Sequence, residues 1–129
     1  MHENILEEYN LDYGGYIGYS FVKSYFVNQS LNEINLDFIN ILFPSITQII
    51  IRDLSYINGD FLEEIIKFLL DKQNTDFYYF ELRIEKKYGK SNIDLQYKKH
   101  KIKFNEIGYE LFSGYLYESY YLVSRRFGV

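Results

Sequence analysis

The stretch from Ser45 to Glu85 constrains the fold more than any other part of this 129-residue chain. It begins with SITQIIIRDL, an isoleucine-rich run typical of a strand buried on both faces. FLEEIIKFLLDK follows, with apolar residues at the spacing of one helix face and charged residues opposite. FYYFELRIE then alternates apolar and polar side chains, as a strand does. Strand, helix and strand in this order predict a βαβ crossover with parallel strands.

The same stretch has a spacing that is found in repeat proteins. It resembles a leucine-rich repeat, and the residues that carry the resemblance are Leu31, Ile34, Leu36, Ile46, Ile49, Ile51, Leu54, Phe77, Phe80 and Leu82. The resemblance covers at most residues 31–84 and would imply a stacked solenoid. Solenoids need at least about three repeats with caps, and the last third of this chain has no repeat. We therefore interpret the stretch as one βαβ unit.

Two elements are predicted before this unit, and its own helix has a predicted cap. Residues 16–27 alternate loosely after Gly14-Gly15 and predict a strand. Ser30 and Glu33 form a capping-box pattern, followed by apolar residues at helical spacing as far as Pro44, so a helix is predicted there. Asp60 is the expected N-cap of the helix in the βαβ unit.

After Phe77 the chain is predicted to continue as a meander. YGKSN (88–92) indicates a hairpin turn, IDLQY a strand, and the shift of apolar positions near 98–101 a tight turn or bulge. The tail after Gly108 fits either strands broken by glycines or a helix, and we favour strands. The predicted fold is α+β: a single domain over 1–129, with a mixed, mostly antiparallel sheet, a central βαβ unit and two main helices on one face.

Several classes of protein are disfavoured by composition. The chain has no cysteine, which excludes disulfides and thiolate metal sites and is consistent with a reducing compartment. The opening MHENILEEYN lacks the features of a signal peptide, and the longest apolar runs fall well short of the roughly 20 residues of a membrane-spanning helix. We expect a cytoplasmic protein that does not enter membranes.

No catalytic, cofactor or metal motif is evident in the sequence. His2 lies at the terminus, and His100 lies among lysines without a carboxylate nearby in sequence. The acids at the βα junction are explained by helix capping and a solvated helix face; they are Asp53, Asp60, Glu63 and Glu64. GGYIG (14–18) precedes a strand rather than a helix, so it does not match a phosphate-binding loop. We expect no cofactor and no metal, and a binding protein rather than an enzyme.

Charge and aromatic content suggest a protein-binding surface. The chain has 15 Tyr and 11 Phe, and residues 1–64 hold ten acids against two bases. An A/T-biased genome would also enrich tyrosine, but acids around exposed tyrosines form a surface complementary to a basic protein. The leading hypothesis is an inhibitor that neutralises a basic partner, such as a bacterial toxin, by occlusion. It would act like the immunity proteins that neutralise bacterial nuclease toxins or like phage-encoded inhibitors of host defence. The predicted partner-binding residues are Glu7, Glu8, Asp12, Tyr13, Tyr16, Tyr19, Glu110, Tyr115, Tyr117 and Glu118.

Residues 83–103 support an alternative. They hold eight bases against two acids, with tyrosines between them. A basic hairpin with exposed aromatics can bind phosphates and stack on unpaired bases, although lysines also protect edge strands from aggregation. The alternative is a nucleic-acid-binding accessory protein that uses Lys86, Lys87, Tyr88, Lys90, Lys98, Lys99, Lys101 and Lys103. A subunit of a homo-oligomer is a third class.

Overall fold

The computed structural model describes residues 24–28 and 34–129, in which five strands and three helices form a single compact α+β domain. In chain order the elements are β1 (Ser24–Asn28), α1 (Leu36–Leu42), β2 (Gln48–Leu54), α2 (Gly59–Asp71), β3 (Tyr79–Glu85), α3 (Lys86–Glu106), β4 (Tyr109–Leu116) and β5 (Ser119–Arg126). The predicted α+β class is confirmed.

One mixed sheet contains all the described strands, in the order β1-β2-β3-β5-β4. β1, β2 and β3 run parallel, which confirms the predicted βαβ crossover of β2, α2 and β3. β5 pairs antiparallel with β3 and with β4, so β4 and β5 form a hairpin. The four pairings are therefore evenly divided, whereas the sequence predicted a mostly antiparallel sheet. The strands predicted for the tail are confirmed.

The core lies between one face of the sheet and the described helices. Side chains of α1, α2 and α3 join a single cluster with alternate residues of the strands, such as Ile49, Ile51, Phe80 and Leu82. α2 buries a continuous apolar stripe, which is why its periodicity was readable in the sequence. The prediction of two main helices on one face is correct for α1 and α2, but α3 packs on the same face as a third.

Asparagine side chains cap the first two helices of the described chain. Asn35 Oδ1 accepts a hydrogen bond from Phe38 N (2.9 Å), and Asn58 Oδ1 accepts one from Phe61 N (2.7 Å). Asn58, not Asp60, is thus the N-cap of α2, and Asp60 lies in its first turn, where its charge favours the helix dipole. Ser30 and Glu33 lie outside the described residues, as do residues 16–23 of the predicted N-terminal strand; β1 begins at Ser24.

The predicted hairpin over 83–103 is wrong, because residues 86–106 form the 21-residue helix α3. The residues read as a turn at 88–92, a strand at 93–97 and a bulge near 98–101 are all helical. α3 buries polar residues one turn apart, Asn92, Gln96 and His100, beside Ile93 and Phe104. This mixed buried face hides the helical period, because the sequence shows few apolar residues at 3.6-residue spacing.

Close packing against the hairpin also holds α3 in place. A Cβ atom at Gly89 would come within 2.5 Å of the Tyr120 ring, so only glycine permits this approach of the helix to β5. Asn92 donates a hydrogen bond to Ile57 O (2.9 Å) and accepts one from Ile57 N (2.7 Å), which ties α3 to the loop before α2. Tertiary contacts therefore select the helix over the predicted strands.

Candidate partner-binding surface

The β4–β5 hairpin presents aromatic and apolar side chains to solvent. Its strands pair along their full length, from Tyr109 opposite Arg126 to Leu116 opposite Ser119, and residues 117 and 118 form the turn. Tyr117 at the turn is 86% exposed, and Tyr115 and Leu116 beside it are about half exposed. We define the hairpin patch as five exposed residues of β4 and the turn: Phe112, Tyr115, Leu116, Tyr117 and Glu118.

The turn of this hairpin has an unfavourable backbone for its residues. Tyr117 and Glu118 have φ angles of 51° and 64°, the left-handed pair that a two-residue hairpin turn requires. Asn-Gly or Asp-Gly usually occupies such a turn, because each ordinary side chain there costs on the order of 1–2 kcal/mol. The fold therefore holds Tyr117 and Glu118 in a backbone conformation that disfavours both residues.

The open end of the hairpin is fixed to the rest of the domain. Tyr109 is buried and donates a hydrogen bond from its hydroxyl to Phe77 O (3.1 Å). Arg126 donates to Thr75 O (2.7 Å), to Lys72 O (2.8 Å) and to the Tyr109 hydroxyl (3.2 Å). Burial raises the pKa of Tyr109, and Arg126 opposes that rise. These bonds anchor the base of the hairpin, so the hairpin patch extends from a rigid support.

Four of the predicted partner-binding residues lie in or beside this hairpin. Tyr115, Tyr117 and Glu118 belong to the hairpin patch, and Glu110 is exposed near the other end of β4. Sequence reasoning missed Phe112 and Leu116, although in a strand both lie on the same face as the charged Glu110, which was a signal for them. Six further predicted residues lie outside the described residues: Glu7, Glu8, Asp12, Tyr13, Tyr16 and Tyr19.

Formal charge on the hairpin is balanced. Glu110 and Glu118 are matched by Arg125 and Arg126 over residues 109–126. The acidic character that suggested a basic partner is thus carried by other parts of the chain. Within the hairpin, exposed apolar and aromatic area is the dominant feature.

The lysines of the alternative nucleic-acid-binding hypothesis all lie on α3. Lys90, Lys98, Lys99, Lys101 and Lys103 are exposed. Lys103 Nζ donates to Glu63 Oε1 (3.0 Å), and Lys101 Nζ lies 5.3 Å from the centre of the Tyr97 ring. Tyr97 also packs against the core, so its ring is already engaged. Lys86, Lys87 and Tyr88 belong to the helix, but their side chains lie outside the described part.

His100 is buried between α3 and α2 rather than in an open cleft. Its Nδ1 lies 3.0 Å from Gln96 O, one helical turn earlier. Its Nε2 lies 3.6 Å from Glu63 Oε1, which is beyond a good hydrogen bond, and Glu63 accepts from Lys103 instead. The fold therefore brings a carboxylate near His100 that sequence distance could not reveal. The buried imidazole of His100 and the half-exposed carboxylate of Glu63 thus lie side by side where α3 meets α2.

A second polar cluster, missed in the sequence, lies on the sheet face opposite the helices. The Glu81 carboxylate is almost fully buried and accepts hydrogen bonds from the Tyr79 hydroxyl and from Arg83 Nε. Burial and the Glu81 carboxylate raise the pKa of Tyr79. The Arg83 guanidinium in turn stacks over the Tyr121 ring at 5.1 Å. Alternate positions 79, 81 and 83 of one strand could have indicated this cluster.

Over residues 24–28 and 34–129, the structure contains no group of three or more His, Asp or Glu side chains placed to hold a metal ion. The acids at the βα junction do not converge: Asp53 and Asp60 are exposed, and Glu63 pairs with Lys103. Among the described helices, none is long and apolar enough to cross a membrane.

The hairpin patch is thus a surface feature that local stability does not explain. It combines exposed aromatic area, a strained turn and a fixed base. Comparison of the chain with protein-family models, with curated proteins and with solved structures gave no match.

Proposed function

We propose that this protein is a binding protein that inhibits its partner by occlusion, in the manner of an immunity-type protein, and that the hairpin patch is the contact surface. One observation carries the proposal: Tyr117 and Glu118 occupy a left-handed turn that disfavours both residues. Backbone strain of this kind persists where a side chain is needed for function.

The chemistry of the hairpin patch suits protein contact. Tyrosine provides a large apolar face and a hydroxyl at a small entropic cost, and buried tyrosines often dominate binding energy. Tyr117 stands at the tip, while the ring of Tyr115 is 4.6 Å from that of Tyr120 and is thereby held in place. A partner that covers the tip would bury both rings against a rigid backbone.

Charge is expected to set the rate of encounter more than the affinity. The chain carries a net charge of −4, with acids concentrated in residues 1–64, so a basic partner would be attracted at long range. Within the hairpin the charges balance. We therefore propose apolar contact at the tip and weaker electrostatic steering by the rest of the molecule.

The test is the double variant Tyr117→Asn/Glu118→Gly, which replaces the strained turn with a favourable one. The tagged protein is incubated with extract of its native host, and bound proteins are quantified by mass spectrometry. The matched control is Tyr56→Asn, because Tyr56 is an exposed tyrosine in the loop before α2. We expect the wild type and the control to retain one specific partner and the double variant to lose at least about tenfold, which is about 1.4 kcal/mol. Equal retention by all three proteins would contradict the proposal.

A second candidate function is nucleic-acid binding through α3, and the observation in its favour is the row of exposed lysines. Residues 86–106 hold seven lysines against Asp94 and Glu106. Its test is retention on an immobilised polyanion at increasing salt. If α3 is the site, Lys98→Gln/Lys99→Gln will elute at lower salt than wild type, while Lys67→Gln on α2 will not. Co-elution of all three proteins in the flow-through would exclude this function.

A further inference from the structure

The backbone of β4 offers a free row of hydrogen-bonding groups among the described strands. β4 stands at the end of the sheet and pairs only with β5 there. Phe127 N donates to Gly108 O (3.0 Å) at the base of the hairpin. Because hydrogen-bonded and non-hydrogen-bonded residue pairs alternate along an antiparallel ladder, this bond shows which residues of β4 bond to β5. Even-numbered residues of β4 therefore bond to β5, and the N–H and C=O groups of Leu111, Ser113 and Tyr115 point outwards. Only another extended backbone can satisfy such a row.

β4 lacks the usual protection of an edge strand. Its sequence YELFSGYL contains no lysine and no proline, its pairing with β5 has no bulge, and its sole charged residue is Glu110. Natural edge strands usually carry such features to prevent association. The edge of β4 is thus chemically suited to accept a strand.

The side chains of β4 select which strand fits. Phe112 and Gly114 lie on the same face of the sheet, on either side of Ser113. Phe112 is 38% exposed, and a Cβ atom at Gly114 would meet nothing within 4 Å. A protruding ring and an empty position therefore stand two residues apart, symmetrically about Ser113.

We propose that the occupant of this edge is β4 of a second copy of the chain, paired antiparallel about a two-fold axis at Ser113. In this register the Phe112 ring of each copy lies across Gly114 of the other, an arrangement in which an aromatic ring shields an edge glycine. The pair falls at a non-hydrogen-bonded position, where side chains across a ladder approach most closely. Leu111 of one copy bonds to Tyr115 of the other, and Ser113 bonds to Ser113.

Charge is compatible with this pairing. Glu110 of one copy lies opposite Leu116 of the other, so no two carboxylates face each other. The contact is self-complementary, as a two-fold interface must be, and it joins the two sheets into one. It does not rest on the proposed function, because it requires no other protein.

A single introduced thiol gives the sharpest test, because the chain has no cysteine of its own. At the two-fold axis, facing Cα atoms in a hydrogen-bonded pair stand about 5.5 Å apart, which is within reach of a disulfide. We expect purified Ser113→Cys to form a covalent dimer on mild oxidation at micromolar concentration. The control Ser91→Cys, at an exposed position on α3, should stay monomeric under the same conditions. Equal cross-linking of both variants, or none in either, would overturn the proposal.

Sedimentation velocity of the protein without a thiol gives the second measurement. The wild type and Ser91→Lys should shift from monomer to dimer as concentration rises. Ser113→Lys places a charge on the axis, and Gly114→Val fills the empty position, so each should raise the dissociation constant at least about tenfold. Gly114 has no positive φ, so valine is compatible with the strand, and circular dichroism will show that the variant folds. A wild type that remains monomeric throughout, or variants that dimerise equally well, would also overturn the proposal.

Discussion

In the βαβ unit the large side chains point inwards, whereas in the β4–β5 hairpin several point outwards. Phe80 of β3 is 1% exposed and lies among the rings of Phe61, Phe68 and Phe77. Phe112, on the edge strand β4, is 38% exposed, and Tyr117 in the turn is 86% exposed. Two regions with similar residues therefore make different contributions to the protein. The βαβ unit supplies stability, and the hairpin presents side chains for contact.

The same substitution in both regions would test this division most strongly. Phe80→Ala should lower the free energy of unfolding by about 3–5 kcal/mol, because it removes a ring from a close-packed cluster. Phe112→Ala should lower it by less than about 1 kcal/mol, since the ring is partly solvated already. Urea denaturation followed by circular dichroism measures both. Similar losses would show that the hairpin is as important to stability as the core.

Breaking the contact between α3 and the βαβ unit should cause the next largest loss of stability. Asn92→Ala removes both hydrogen bonds to Ile57 and leaves a buried N–H and C=O without partners. We expect a loss of about 2–3 kcal/mol in the free energy of unfolding. Asn105→Ala, at an exposed position of the same helix, is the matched control and should change little. An Asn92→Ala protein as stable as the control would mean that α3 does not depend on this contact.

The hairpin turn should respond in the opposite direction. Tyr117→Asn/Glu118→Gly should raise the free energy of unfolding by about 1–2 kcal/mol, because asparagine and glycine tolerate the left-handed conformation. Asp53 in β2 also has a positive φ, of 60°, yet Asp53→Gly should change stability by less than about 0.5 kcal/mol, since aspartate already tolerates it. Thermal melting compares the variants. A destabilised double variant would remove the evidence that the turn is strained.

The smallest effect concerns the base of the hairpin and depends on pH. Burial raises the pKa of Tyr109 above its ordinary value of 10.0, so the folded state favours the neutral phenol. The contribution of the neutral Tyr109 phenol to the free energy of unfolding is complete below about pH 10 and is lost as pH rises through the raised pKa. Tyr109→Phe should cost about 1 kcal/mol at neutral pH, from the lost bond to Phe77 O, and should make the decline above pH 10 shallower.

The matched control for this titration is Tyr56→Phe at an exposed position. Tyr79, whose pKa is also raised, remains in both variants, so part of the decline should persist. An identical pH profile for wild type and Tyr109→Phe would show that Tyr109 does not contribute to it. Chemical denaturation between pH 7 and 11 provides the measurement.

Much of the site could be predicted only in outline. Tyr115, Tyr117, Glu110 and Glu118 were identifiable as candidate surface residues of the tail, because tyrosines and acids lie close together there. Their arrangement on one strand and one turn was not, because it depends on the hairpin register. The strain at Tyr117 follows from the two-residue loop, which exists only once β4 and β5 are paired.

The sequence alone determined the βαβ unit. Its strands are short apolar runs, and α2 has apolar residues at every turn. The spacing of apolar residues within each element therefore indicates which of its side chains are buried. The helix α3 was decided by tertiary structure. Its buried face carries Asn92, Gln96 and His100. Asn92 is favourable there because it bonds to Ile57 in the loop before α2, and His100 because Gln96 O and the Glu63 carboxylate lie beside its ring. Polar groups are stabilised inside a protein by specific neighbours, and a linear pattern does not contain those neighbours.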